Sequence, residues 1–223
     1  MTIQEGYTIW SETYDADTNR TRDLDAQITA LVLGNRRFAS ILELGCGTGK
    51  NTALLATIGG TVRAVDFSEG MIARAKARIS APNVTFAAAN IAEPWDALAE
   101  SFDLVVCNLV LEHLEHLSPV FAEAHRALSQ RGTFFLSELH PFRQYDGSVA
   151  NFSQGGTATE IPAFLHNVSD FVTAAQGKGF AVQALQEWWH DDDAGQPPRL
   201  LSFLFTKGTV IEQIGASGDI SKP

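Results

Sequence analysis

The chain has 223 residues, 45% of them hydrophobic, and a formal net charge of -10. That length suits one compact domain with an appended lid, and the apolar share is enough to fill a core. The acidic balance argues against nucleic-acid binding, which needs clustered Lys and Arg; Arg74, Lys76 and Arg78 read as a solvated helix face.

The predicted elements alternate. Residues 1–38 are a helical, aromatic-bearing arm. Ser40–Leu44 is a short apolar run closed by glycines, hence a buried strand, and Asn51–Ile58 has helical composition. Thr61–Val65 is β-branched and ends at Asp66; Ser68–Ile79 follows as a helix with Ser68 as its N-cap. Val84–Ala88 and Asp103–Cys107 are the third and fourth strands. A helix over Ser118–Leu128 opens at Ser118-Pro119, and Gly132–Glu138 is the fifth strand. Residues 140–166 form a long insert rich in Gly, Ser, Thr and Asn, and a loop of that length inside a domain is usually functional. Beyond it come a helix over Val168–Lys178 and an edge hairpin of Phe180–Trp188 with Leu200–Thr206, completing the sheet over residues 167–208. A tail, 209–223, ends the chain and is expected to fray from Ser217.

This order predicts an α/β fold: a Rossmann-like, doubly wound, mostly parallel seven-stranded sheet with helices on both faces and an antiparallel C-terminal hairpin. Two cysteines, Cys46 and Cys107, are too few for a disulfide scaffold, and Met1–Trp10 lacks the make-up of a signal peptide. No run of about 18 apolar residues spans a bilayer, so a soluble, cytoplasmic protein without membrane partners is expected.

Ligands of such sheets sit outside the carboxyl ends of the strands, where the segment Glu43-Leu-Gly-Cys-Gly-Thr-Gly49 falls. Glycine there permits positive φ and close approach of a ligand to the backbone. A nicotinamide fingerprint counted from Gly45 would need glycine at 45, 47 and 50; this chain has Lys50 and glycine at 45, 47 and 49 instead. Asp66 stands where an acid can accept two ribose hydroxyls, although a strand-end Asp can also cap the next helix.

Three segments, Glu43–Gly49, Asp66-Phe-Ser-Glu-Gly-Met71 and Phe102-Asp-Leu-Val-Val-Cys-Asn-Leu109, together resemble the ordered motifs of class I S-adenosylmethionine-dependent methyltransferases of the small-molecule type. The resemblance covers about residues 38–140, with 39–139 as the cofactor-binding core. It implies S-adenosylmethionine as cofactor and S-adenosylhomocysteine as product. Glu43, Gly45, Cys46 and Gly47 would surround the amino-acid end of the cofactor, Asp66 the ribose, and Phe67, Met71, Asn90 and Ile91 the adenine, with Asn108 and Leu109 closing the site. The family commonly carries Asp where this chain has Asn90, and Asn keeps an acceptor. The arm containing Trp10-Ser-Glu-Thr-Tyr14 and Arg22 resembles the segment that closes over the cofactor in small-molecule members. Tyr14 and Arg22 would then meet the methionine carboxylate; an aromatic staple and a salt-bridged helix start explain them equally.

Methyl transfer needs alignment and dryness, and a base only when the acceptor must lose a proton. The candidate bases are His113, after the fourth strand, and His140, at the start of the insert. Tyr145, Phe142, Arg143 and His166 are the candidate substrate contacts. Tyr145 and Phe142, with Phe152 and Phe164, suggest an apolar or aromatic small molecule, and Arg143 would face an acidic group of it; packing beneath a loop accounts for the aromatic residues as well, and a plain exposed Arg for Arg143. His113-x-x-His116 and His190-Asp-Asp-Asp193 offer metal-ligand types, but a helix start and a solvated hairpin loop explain them, and no metal is expected. The reaction implied is methyl transfer to O, N or C of a small metabolite. The alternatives are a non-methylating binder of the same cofactor, cyclase-like or regulatory, and, more distantly, an NAD oxidoreductase. The substrate's identity and the oligomeric state are open at this level.

Overall fold

The computed structural model describes residues 2–16, 18–95, 101–154 and 157–208, with backbone alone for 152–154, 157 and 158. The expected tail lies outside the described residues. In chain order the strands are β1 (Phe38–Leu44), β2 (Gly59–Asp66), β3 (Val84–Ala88), β4 (Phe102–Asn108), β5 (Leu128–Leu139), β6 (Asn151–Gln154), β7 (Thr157–Glu160), β8 (Phe180–Trp188) and β9 (Leu200–Lys207). The helices are α1 (Ile3–Trp10), α2 (Arg20–Leu33), α3 (Thr52–Ile58), α4 (Glu69–Arg78), α5 (Leu117–Ala127), α6 (Pro141–Tyr145) and α7 (Val168–Gln176).

Seven strands make one sheet in the order β3-β2-β1-β4-β5-β9-β8. β1 to β5 are parallel, and β9 pairs antiparallel with both β5 and β8. The central strands are apolar on both sides because both sides are covered. In β4, Leu104 and Val106 pack with α2 and α3, through Leu24, Ile28 and Leu55. Val105 and Cys107 face the opposite layer, where α5 and α7 supply Val120, Phe121, Phe171 and Ala175. The antiparallel edge joins that layer through stacked Phe203 and Phe205.

Chain order turns back between β1 and β4, which opens a crevice at their carboxyl ends. Local signals set the elements around it. Ser68 accepts from the Met71 N–H to cap α4, and Asn19 accepts from the Arg22 N–H to cap α2. The expected helix at Ser118-Pro119 begins earlier, at Leu117, with Pro119 still in the first turn, where its missing N–H breaks no bond. Two segments differ more. The N-terminal 38 residues are not all arm, since α2 buries Leu24, Ile28 and Leu33 against the sheet as a layer helix. The insert is not an irregular loop; α6 and the β6–β7 ribbon build it. Among the described residues no helix is long and apolar enough to cross a membrane.

Candidate active site

The loop after β1 turns on glycines at positive φ, 66° at Gly45 and 53° at Gly47. At Gly45 a Cβ would also run into the Val110 side chain, whereas at Gly47 it would project into open space, so backbone conformation alone demands glycine there. Asp66 ties this loop to the next helix. Its Oδ2 accepts from the Gly47 N–H at 2.9 Å and its Oδ1 from the Ser68 N–H at 2.9 Å. Each oxygen keeps a second lone pair, so the carboxylate retains capacity for a diol. Burial raises its pKa, and the backbone N–H groups of Ser68, Gly47 and Phe67 pull it back down.

Further acids surround the crevice. Asp25 accepts from Asn51 at 2.8 Å and from Asn108 at 2.7 Å. Glu43 accepts from the Thr52 hydroxyl at 2.5 Å, and burial pushes its carboxyl up to about 8. Burial also raises Asp25. Behind them Glu138 takes the Val110 and Leu111 N–H groups on one oxygen, which shapes the turn after β4. Within that turn Leu109 adopts φ 56°, an uncommon conformation for a side chain that branches.

α1 forms the roof. Its Gln4 amide donates to the Phe67 carbonyl at 2.6 Å and Thr8 bonds Ser68 at 3.0 Å, which holds Tyr7 over the crevice. The Tyr7 oxygen lies 2.7 Å from His113 Nε2, and His113 Nδ1 lies 2.9 Å from the Pro162 carbonyl. A carbonyl only accepts, so Nδ1 carries the proton and Nε2 of the neutral ring accepts the Tyr7 O–H. Burial lowers the His113 pKa and raises that of Tyr7, which keeps both groups neutral. The Arg22 guanidinium sits 3.9 Å from the Tyr14 ring centroid and donates to the Tyr14 carbonyl.

Every residue that the resemblance assigned to the cofactor, from Tyr14 to Leu109, lines this one cleft, and His113 joins them. The other expected contacts go elsewhere. His140 lines neither this cleft nor its neighbour; it caps α6, accepting from the Phe142 N–H, and its Nε2 faces Glu187 at 3.1 Å. His166 is spent on the Leu114 carbonyl at 2.7 Å and on Phe171. Phe142 and Tyr145 point outward, 54% and 63% exposed, because α6 turns them away from the sheet. Arg143 is mostly covered, its side chain 13% exposed, and meets Asp193 at 3.0 Å. Asp193 in turn is not solvated: it is 3% exposed and held by Arg199, which lowers its pKa to about 2. Tyr7, Asp25 and Glu138 were not singled out from the sequence. The polar stripe Arg22, Asp25, Thr29 on a helix that also buries Leu24 and Ile28 was the available signal for Asp25.

Residues 42–136 match the family described as "Methyltransferase domain". That stretch is a methyltransferase domain of the class I S-adenosylmethionine-dependent type. It is 38% identical over 99 residues to a malonyl-[acyl-carrier protein] O-methyltransferase of Bacillus cereus, covering 44% of this chain and 36% of the relative. It is 34% identical over 155 residues to a trans-aconitate 2-methyltransferase of Deinococcus radiodurans, covering 59% and 56% respectively. The chain thus matches about half or less of the length of these curated relatives. The fold superimposes on a putative S-adenosylmethionine-dependent methyltransferase of Listeria monocytogenes with TM-score 0.71 and 20% identity, covering 84% of this chain and all of that one.

The cleft suits the cofactor of that family on its own chemistry. S-Adenosylmethionine carries two positive centres and a ribose diol. The cleft offers three buried acids, Asp25, Glu43 and Asp66, and loss of water is the main reason that each pKa is raised. A cation entering beside them would restore the missing counter-charge.

Proposed function

We propose that this methyltransferase domain moves a methyl group from S-adenosylmethionine to O, N or C of a small metabolite. The observation that carries the reading is the Asp66 carboxylate, braced by the glycine loop on one side and the start of α4 on the other, with lone pairs to spare. When bound, the cofactor supplies an electrophilic methyl group on a sulfonium.

The residues divide the remaining work. Asp66 would hold the ribose, while Phe67, Met71, Asn90 and Ile91 would pack on and border the adenine. Asn90 Oδ1 accepts the Ala92 N–H and keeps a second lone pair, so both its oxygen and its N–H₂ would be available to a base edge. The loop backbone at Gly45 to Gly47, with Tyr14 and Arg22, would enclose the amino-acid end. Asp25 and Glu43 offset positive charge there. α1 covers the cleft and excludes water, which strengthens every electrostatic contact inside.

The Tyr7–His113 pair is the reading's proton acceptor. A proton leaving the acceptor group passes to the Tyr7 oxygen as the Tyr7 proton moves along its hydrogen bond to His113 Nε2. His140, engaged with Glu187 and the α6 terminus, has no part in it.

Calorimetry with S-adenosylmethionine, S-adenosylhomocysteine and NAD tests the cofactor. Both sulfur nucleosides should bind and NAD should not; absence of sulfur-nucleoside binding would sink the proposal. Incubation with methyl-labelled cofactor and a fractionated metabolite extract then tests transfer. Binding without label transfer to any fraction would favour the non-methylating reading.

A further inference from the structure

Beside the cofactor cleft lies a second, polar cavity of about 330 Å³, a size that admits a small molecule. The two share Tyr7, Tyr14, Arg22 and Leu109 as a common wall, so whatever fills the second cavity abuts the first. Its other walls come from the insert, through Arg143, and from the segment before β9, through Arg199.

The guanidinium groups there are not equally engaged. Arg199 spends Nε and Nη2 on Asp193, at 2.8 and 2.5 Å, and Nη1 on the Thr21 hydroxyl at 3.2 Å. Arg22 is held by Tyr14. Arg143 reaches Asp193 with Nη2, 3.0 Å from the same oxygen that Arg199 uses, but its Nε and Nη2 are buried and make no hydrogen bond among the described residues. One carboxylate therefore faces two guanidinium groups, and one positive charge is left over. Leaving buried N–H groups of a cation without acceptors is costly. Nε and Nη2 share one edge of the guanidinium plane, the edge that matches the two oxygens of a carboxylate.

The cavity also has acids. Glu160 is exposed at its rim. Glu112 is buried, and burial lifts its carboxyl to about 7, so near neutrality a large share of it is an uncharged O–H donor rather than a repelling charge.

We propose that this cavity is the acceptor subsite and selects small molecules bearing a carboxylate, held by the Arg143 guanidinium, whose only carboxylate neighbour among the described residues, Asp193, is shared with Arg199. Its role as an acceptor site rests on the methyl-transfer reading, but its choice of ligand does not. A molecule anchored there presents its far end toward Tyr7, which lines both cavities and carries the bond to His113.

The test titrates benzoate and succinate against their uncharged partners, benzamide and succinamide, by calorimetry, with and without saturating S-adenosylhomocysteine. Inorganic phosphate is a further arm. The acids should bind at least about 10-fold more tightly than the amides. Arg143→Gln should abolish that preference while leaving S-adenosylhomocysteine affinity unchanged. Arg143→Lys keeps the charge but not the two-pronged edge and should retain only a few-fold preference; it also decides the matter if circular dichroism shows the glutamine variant unfolded. Acids and amides binding alike, neither pair binding, phosphate binding more tightly than either acid, or an undiminished preference in the lysine variant would each overturn the proposal. Failure of S-adenosylhomocysteine alone to bind would instead remove the methyl-donor reading, with the acid preference still measurable.

Discussion

The two cavities share a wall and differ in charge. The cofactor cleft is bordered by buried acids, Asp25, Glu43 and Asp66, whereas its neighbour adds Arg143 and Arg199 to the shared Arg22. They also differ in origin. The cleft comes mostly from loops that follow consecutive strands, each carrying its own short motif. The second cavity gathers the start of α2, the insert and the approach to β9, segments far apart in the chain. The proposed acceptor chemistry follows this difference: acids for a cationic donor, Arg143 for an anionic acceptor.

The largest effect expected from breaking this arrangement is at the shared wall. Tyr7→Phe or His113→Asn should lower turnover about 100- to 10,000-fold, with S-adenosylhomocysteine affinity changed only a few-fold. Because burial depresses the His113 pKa, the neutral, accepting ring persists below the ordinary histidine range. Turnover in the wild type should therefore fall only once the pH drops beneath that range. A loss of binding equal to the loss of turnover would reduce the pair to roof packing.

On the acidic side, Asp66→Ala removes two charge-assisted acceptors and should weaken S-adenosylhomocysteine binding about 100-fold. Calorimetry reads this directly, and an unchanged affinity would remove Asp66 from the site. A smaller effect sharpens the contrast of charge. The Glu43 carboxyl is raised from 4.5 to about 8 in the folded chain. Between those values the unfolded chain has lost a proton that the folded chain still holds, so ligand-free stability falls as pH rises through that window. Glu43→Gln should flatten the decline in Tm between pH 5 and 8 by an amount corresponding to about 1 kcal/mol or more. An identical slope in the variant would mean that Glu43 is not held protonated.

What was legible in the sequence follows the same divide. The glycine spacing at 45, 47 and 49, the acid at Asp66 and the run Phe102–Leu109 are local, and local backbone chemistry decides them. Hence the cleft's residues could be named in advance, including Asn90, whose placement beside Ile91 survives the departure from the usual Asp. The histidines were harder. His113 and His140 both stand just past strand ends, yet one faces the cleft and the other faces Glu187, because the turn after β4 bends inward on Glu138 while His140 folds back to cap α6.

By itself, then, the glycine loop and its companion motifs determined a nucleoside site at the ends of a parallel sheet, since turn geometry and strand periodicity are properties of neighbouring residues. Only the tertiary structure decided that Tyr7 meets His113, that Asp25 faces Asn108, and that Arg143 and Arg199 converge on one buried Asp193. Those contacts join residues separated by long stretches of chain. Their geometry is set by how whole layers pack, and charge or burial at such a distance leaves no periodic trace in the sequence.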